Sequence, residues 1–261
     1  LFRSGKHIIT TAIEHHSVLE PIEYLVENFD FEVTVLQPYD QEITAKQVKD
    51  ALRDDTILVS TMYVNNETGT ILPITEIGEV VRNHSAVYHV DAVQAVGKLT
   101  IKPEELGIDF LSASGHKFHG PKGVGFIYAS TMDFDSYIHG GDQEYKKRAG
   151  TENLPAIVGM VAAIKEELSK QTENYQTVQR LQDLFLTKIS SLNYYINHGK
   201  EQLPYVLNLG FPGQKNDLLL LRMDLAGISI STGSACTSGI VQTSHVLKAF
   251  YGNGSHRLHE S

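Results

Sequence analysis

The sequence holds a single cysteine, Cys236, among 261 residues. No intramolecular disulfide can form, so the fold rests on its core, and a reducing, cytoplasmic compartment is expected. No apolar run approaches the length that spans a bilayer, and no signal peptide opens the chain, so a membrane is not expected as a partner. Basic residues are outnumbered, with 22 Lys and Arg against 31 Asp and Glu and a formal net charge of −9. That balance argues against direct nucleic-acid binding; a small anionic ligand would need a local site such as a helix N-terminus. Internal repeats and low-complexity segments are missing too. The first residue is Leu1, not methionine, and the chain stops abruptly at Ser261, so both ends are expected to be cut.

Two common site types are also absent. Neither His15-His16 nor the His116-x-x-His119 pair comes with the Cys/His/carboxylate spacing of a zinc motif, and no metal is expected. The glycines from Gly115 to Gly125 do not make the phosphate loop of nucleotide hydrolases, which places lysine directly after glycine and before Ser or Thr.

What the chain does contain is 41% hydrophobic and 20% charged residues, a globular composition long enough for one large or two ordinary domains. Apolar runs at 7–13, 31–36, 56–64 and 86–90 read as strands, separated by helical patterns at 18–28, 44–52 and 74–83. This alternation predicts an α/β fold with a mainly parallel central sheet and helices on both faces. Further on, the pattern predicts a long helix over 154–192 with a break near Thr172, strands at 204–209 and 228–230, and helices over 216–225 and 241–251. These describe a smaller α+β C-terminal domain, with the division falling between 1–170 and 171–261.

The strand ends are where polar residues gather, and in an open α/β sheet ligands sit at the carboxyl ends of the strands. Those ends carry His15, Asn65-Asn66-Glu67, Asp91 with Gln94, and Ser114-Gly115-His116-Lys117. Lys117 lies in a Gly/Pro-rich connection between two strands, the chemistry of a shaped turn. A lysine fixed in this way suits a Schiff base with a carbonyl compound, above all pyridoxal phosphate. Asp91 can cap the helix beginning near Val93, or pair with the protonated pyridine nitrogen of that cofactor. Beside Lys117 at a neighbouring strand end, the second role is favoured, and Gln94 one turn later could then reach the phenolic oxygen. His15 can be a satisfied strand-end histidine, or stack on the ring and shuttle protons. Ser114 and His116 can hold the turn, or bind the cofactor phosphate. Cys236 sits in an almost wholly small and polar stretch, Ser231 to Gly239, which predicts an exposed, reactive thiol.

Taken together, Ser114-Gly115-His116-Lys117, Asp91-Ala92-Val93-Gln94, Val64-Asn65-Asn66-Glu67, Glu14-His15, Arg148-Ala149-Gly150-Thr151-Glu152-Asn153 and Ser231-Thr232-Gly233-Ser234-Ala235-Cys236 closely resemble the cysteine desulfurases of the NifS/IscS type. The resemblance runs essentially from end to end. It implies the fold-type I architecture of pyridoxal phosphate enzymes and a homodimer with sites at the subunit boundary. It makes Lys117 the cofactor-linking lysine, Asp91 the partner of the pyridine nitrogen and Gln94 that of the phenolic oxygen. His15 resembles the stacking histidine, Asn66 the asparagine near substrate and cofactor, and Ser114 and His116 phosphate ligands. Thr151 matches a threonine that reaches the phosphate of the other subunit, and Cys236 the persulfide-forming cysteine. The activity implied is conversion of L-cysteine to L-alanine, with sulfur passed to an acceptor such as an iron–sulfur scaffold or a tRNA-thiolating enzyme. A selenocysteine lyase, an aminotransferase or a non-catalytic sulfur-relay protein would share the fold. The family's Gly/Thr-rich phosphate loop is expected before Leu1, and its carboxylate-binding arginine just after Ser261.

Overall fold

Runs rich in Ile, Val and Thr become strands buried on both faces, as the hydrophobic strands of a parallel sheet are. The computed structural model describes residues 5–233 and 243–261. Its main sheet holds β1 (His7–Thr11), β2 (Glu32–Leu36), β3 (Thr56–Met62), β4 (Val87–Asp91), β5 (Phe110–Ser114) and β6 (Gly125–Ala129). The spatial order is β2-β1-β3-β4-β5-β6, with every pairing parallel except the antiparallel β5–β6. The helices are α1 (His16–Phe29), α2 (Ala45–Ala51), α3 (Ile74–Val81), the one-turn α4 (Pro103–Leu106) and α5 (Gln143–Lys146), α6 (Leu154–Lys188), α7 (Asn216–Leu225), α8 (His245–Tyr251) and the short α9 (Arg257–Glu260).

Alternation along β1 sends Ile8 to one face and Ile9 to the other. Ile8 joins Ile22 of α1 with Phe31 and Ile57 in one buried cluster. Ile9 joins Val59, Tyr88 and Val90 of the sheet, Val48 of α2, Ile74 and Ile77 of α3 and Phe250 of α8 in the other. His7 lies opposite Thr56 but Ile8 opposite Leu58, so Ile57 is the extra residue of a bulge. Both Ile57 and Leu58 therefore feed the α1 side. The inner strands are also zipped by polar groups. Ser60 Oγ contacts His89 Nδ1 at 2.8 Å, and His89 Nε2 contacts Ser112 Oγ at 3.2 Å, joining β3, β4 and β5. Burial pushes the His89 imidazole below its ordinary range against the opposing pull of Asp91, which keeps the link neutral.

After β2 the chain crosses back over β1 to form β3 on its other side. That reversal is the topological switch point of a doubly wound sheet, and a crevice opens there at the carboxyl edge.

Three expectations from the sequence need correction. The long helix is not broken near Thr172: α6 runs unbroken for 35 residues. One β-branched residue costs only a fraction of a kcal/mol in a helix, while the Lys170–Glu166 and Gln179–Asp183 pairs support the polar half. Of the segment 204–209 only Leu209 is in a strand: Leu209–Gly210 form β8, antiparallel to β7 (Tyr195–Ile196), with Leu209 opposite Ile196. Instead its neighbourhood wraps the 65–70 loop: Leu203 N donates to Gly69 O at 2.8 Å and Gln202 Nε2 to Thr68 O at 3.0 Å. Residues 228–230 find no neighbouring strand among the described residues; Ile228 N closes the last turn of α7 by donating to Met223 O.

The connection from β5 to β6 begins with a single 3-10 turn, Gly115–Phe118, which packs against α6. A Cβ at Gly159 of that helix would sit 2.9 Å from Cγ of Pro121. Glycine here costs helix propensity and lets the helix lie directly on the connection that holds Lys117. Replacing Gly159 by Leu is expected to destabilise the protein by about 1–3 kcal/mol through overpacking, measured by urea unfolding. Equal stability of the two proteins would show that the contact is not tight.

Candidate active site

Four adjacent strands point their carboxyl ends at one edge, and residues at or within a few positions of each end meet there. A cavity of about 200 Å³ is lined by His15 beyond β1, Asn66 beyond β3, Asp91 and Gln94 at and beyond β4, and Ser114, His116 and Lys117 at and beyond β5. Met62, Val64 and Val93 supply its apolar walls and Ser17 a hydroxyl. Seven of the residues expected from the sequence thus share one pocket.

Each is held by a local device. His15 is the N-cap of α1: its Nδ1 accepts the Ser17 backbone N–H at 3.1 Å. Since an amide N–H can only donate, the neutral ring carries its proton on Nε2. Asp91 is buried, and its Oδ1 accepts the Val93 N–H at 2.9 Å. No helix forms at Val93 as the sequence suggested, since residues 93–98 are turns; the bond is an Asx turn that uses one oxygen, and Oδ2 is left for the pocket. The two neighbouring asparagines divide their work. Asn65 is fully buried, donating to Ile13 O at 2.9 Å and accepting from the N–H groups of Glu67 and Thr68, both at 2.9 Å. Its bonds shape the loop, and Asn66 is the one that faces the cavity. Ser114 Oγ and His116 Nδ1 lie 2.8 Å apart, a hydroxyl and an imidazole paired at the pocket wall.

Glu14 entered the sequence analysis only as part of the Glu14-His15 motif and was given no role of its own, yet it is a tightly held acid beside the site. Its Oε1 accepts from Thr11 Oγ1 at 2.6 Å and from Met62 N at 2.8 Å, the last residues of β1 and β3. The other oxygen, Oε2, is buried with no hydrogen-bond partner among the described residues. Burial pushes the carboxyl up to about 8, offset by the bonds from Thr11 and Met62 and reinforced by Asp91. Burial thus favours the protonated acid near neutral pH, and because Oε1 accepts both bonds the proton would sit on Oε2. Ser244 and His245 were missed as well. Ser244 Oγ donates to buried Glu67, and His245 Nε2 contacts Glu14 O at 2.8 Å. These links span 177 and 231 residues, a distance at which no local pattern signals a contact.

Thr151 is exposed in the segment before α6, outside the cavity lining. Cys236 lies outside the described residues. Among the described residues, no group of three or more His, Cys, Asp or Glu side chains is placed to hold a metal ion, and no helix is long and apolar enough to cross a membrane.

An amine and a buried carboxylate lining one partly apolar pocket, with a histidine at the first strand end and a hydroxyl–imidazole pair at another, fit the donor set that pyridoxal phosphate needs. Fold and pocket together define a pyridoxal phosphate enzyme of fold-type I. Comparisons narrow the class. The family described as Aminotransferase class-V matches residues 1–253. A protein of Bacillus subtilis named putative cysteine desulfurase IscS 1 is 50% identical over 98% of this chain, which spans 69% of that protein. Against proteins named cysteine desulfurase IscS from other bacteria and an archaeon, the chain spans 61–64% of the relative's length at 42–43% identity. A solved structure of a NifS-like protein superposes with a TM-score of 0.89 at 33% identity, covering 98% of this chain and 68% of that one. The structure described as SspA in complex with cysteine gives 0.83 at 34% identity, covering 99% and 72%. The chain belongs to the aminotransferase class-V family, and its relatives there are cysteine desulfurases of the IscS/NifS type.

Glu14 generates a prediction on stability. Between its ordinary 4.5 and about 8, the folded state holds a proton that the unfolded state has released. Stability therefore falls as pH rises through that window, by up to about 1.4 kcal/mol per unit. Glu14→Gln, which stays neutral, is expected to remove that slope in urea unfolding curves taken at several pH values. A variant that keeps the parent's slope would assign it to another group.

Proposed function

We propose that the full-length polypeptide is a cysteine desulfurase, converting L-cysteine to L-alanine and leaving the sulfur as a persulfide on Cys236. The observation that carries this is the shared pocket of Lys117 and Asp91 at the carboxyl edge, in a chain whose relatives carry that activity in their names. Cysteine as substrate is supported by the cysteine bound to SspA.

Pyridoxal phosphate supplies an electron sink when bound. Lys117 Nζ would hold its aldehyde carbon, and once released would take the α-proton of the substrate. Asp91 Oδ2 would hold a proton at the ring nitrogen, a task for which a carboxylate anchored through Oδ1 is already oriented. His15 would stack on the ring and offer its Nε2–H to the substrate side. Gln94 would donate to the phenolic oxygen, Ser114 and His116 would bind the phosphate, and Asn66 would line the substrate side.

The Cys236 thiolate attacks the substrate sulfur. A sulfur–sulfur bond forms, the carbon–sulfur bond breaks, and the electron pair and a proton go to the β-carbon, which becomes the methyl group of alanine. Cys236 lies eight residues before Ser244, which is anchored to Glu67 beside Asn66. The chain between them can reach at most about 28 Å, enough to serve the pocket and then a partner.

The reading includes a homodimer, a sulfur-acceptor protein such as an iron–sulfur scaffold or a tRNA-thiolating enzyme, and a cytoplasmic setting. An apolar row on α6, with Leu154, Val158 and Val161 exposed next to Thr151, supports a subunit contact there. Division of the chain at 170/171, with a small domain following, belongs to the same proposal.

The test is to supply L-cysteine to the cofactor-loaded full-length protein and assay alanine together with persulfide on Cys236. Cys236→Ser is expected to keep the bound chromophore and lose sulfide release by at least about 100-fold, as removal of an essential nucleophile does. Alanine formed without persulfide, or turnover unaffected by the substitution, would overturn the mechanism in favour of an aminotransferase or lyase that does not use the thiol.

A further inference from the structure

Behind Gln94, four residues on along the turns that follow β4, stands Lys98. Its Nζ lies 3.2 Å from the Gln94 backbone oxygen and 3.2 Å from Gln94 Oε1. An ammonium group can only donate. The amide of Gln94 must therefore turn its oxygen towards Lys98, which leaves Nε2 and its two hydrogens available to the pocket that Gln94 lines. We infer that Lys98 is a positioning residue which, by binding Gln94 Oε1, makes Gln94 present an N–H donor and not a carbonyl acceptor to the cofactor.

The inference rests on the pyridoxal phosphate reading above, in which the atom facing Gln94 is a phenolic oxygen. An oxygen that carries negative charge needs a donor; an unfixed amide could offer either end, and the wrong end would repel it. Lys98 is itself held from several sides. Its ammonium lies 5.6 Å from the ring centroid of Tyr205, a cation–π distance. Burial pushes its amine down to about 8, with Lys117 on the turn acting in the same direction and Glu167 on α6 opposing. Glu167 in turn lies 3.7 Å from His119 Nε2 and accepts from Asn174 Nδ2 at 3.3 Å. These groups fix where the Lys98 head sits, and hence which way Gln94 points.

The readout is the pH midpoint of the bound cofactor's colour change, in the full-length protein loaded with pyridoxal phosphate. A donor on the phenolic oxygen favours the form in which that oxygen bears more charge, and so lowers the midpoint. Lys98→Met is expected to raise it by roughly 0.4–1 pH unit, the size of one net hydrogen bond. Lys98→Leu is made alongside, so that a folding defect in one variant does not remove the comparison. Because Lys98 also carries charge, the same substitution is repeated in a Gln94→Leu background, where the shift is expected to fall below half its original size. A midpoint unchanged by both Lys98 variants, or a shift of equal size with and without Gln94, overturns the inference while the cofactor reading stands. A parent protein that takes up no chromophore overturns both.

Discussion

The carboxyl group of Glu14 ties together the two strands between which the site opens. Thr11 ends β1 and Met62 ends β3, and both bond to the same oxygen, Oε1. This is the point where the strand order reverses. A parallel sheet has no backbone ladder beyond its last residues, so something else must set the width of the crevice. A buried, neutral acid can do so without an opposing cation, because it bonds as a carbonyl and avoids the cost of a buried charge. His15 follows directly on one side of it, and the Asn65-Asn66 loop on the other. Its backbone oxygen also receives His245, bringing the C-terminal part of the chain to the same spot.

Parallel strands explain how residues from four separate segments meet. Each of β1, β3, β4 and β5 delivers residues at or just past its end to one edge, whatever the length of chain between them. The antiparallel β6 breaks the pattern only after the edge has been filled, and its connection from β5 is where Lys117 sits. Main-chain geometry therefore settles position to within a few ångströms, and side-chain bonds settle orientation.

This also accounts for what was legible in the sequence. Strands at 56–64 and 86–90 are mostly apolar runs with polar residues just past their ends, so Asn66 and Asp91 could be read as edge residues before any pairing was known, as could Lys117 in the connection after Phe110-Leu111. Glu14 could not. Its neighbours suggest an exposed helix start, and the Met62 N–H that it binds comes from another strand. Glu67 with Ser244, and Glu14 with His245, are equally silent in sequence, because their partners lie far along the chain. The strand expected at 204–209 failed for a related reason: its apolar alternation is used to cover the 65–70 loop, with Leu203 fully buried. Periodicity reports which residues are buried, but not what buries them.

Structural and chemical roles are not alternatives at this site; they are assigned to different atoms of the same side chain. His15 spends Nδ1 on Ser17 and keeps Nε2. Asp91 spends Oδ1 on Val93 and keeps Oδ2. Gln94 gives Oε1 to Lys98 and keeps Nε2. In each case the scaffold bond removes rotameric freedom and decides which polar atom is left over, so that the entropy of ordering the group is met during folding and not during binding. A residue bonded in this way through both atoms would be structural only, as Asn65 is; one bonded through neither would have to be ordered by its ligand. His15, Asp91 and Gln94 stand between those limits, and that intermediate state makes their side of the pocket ready for a flat, multiply polar cofactor before the cofactor arrives.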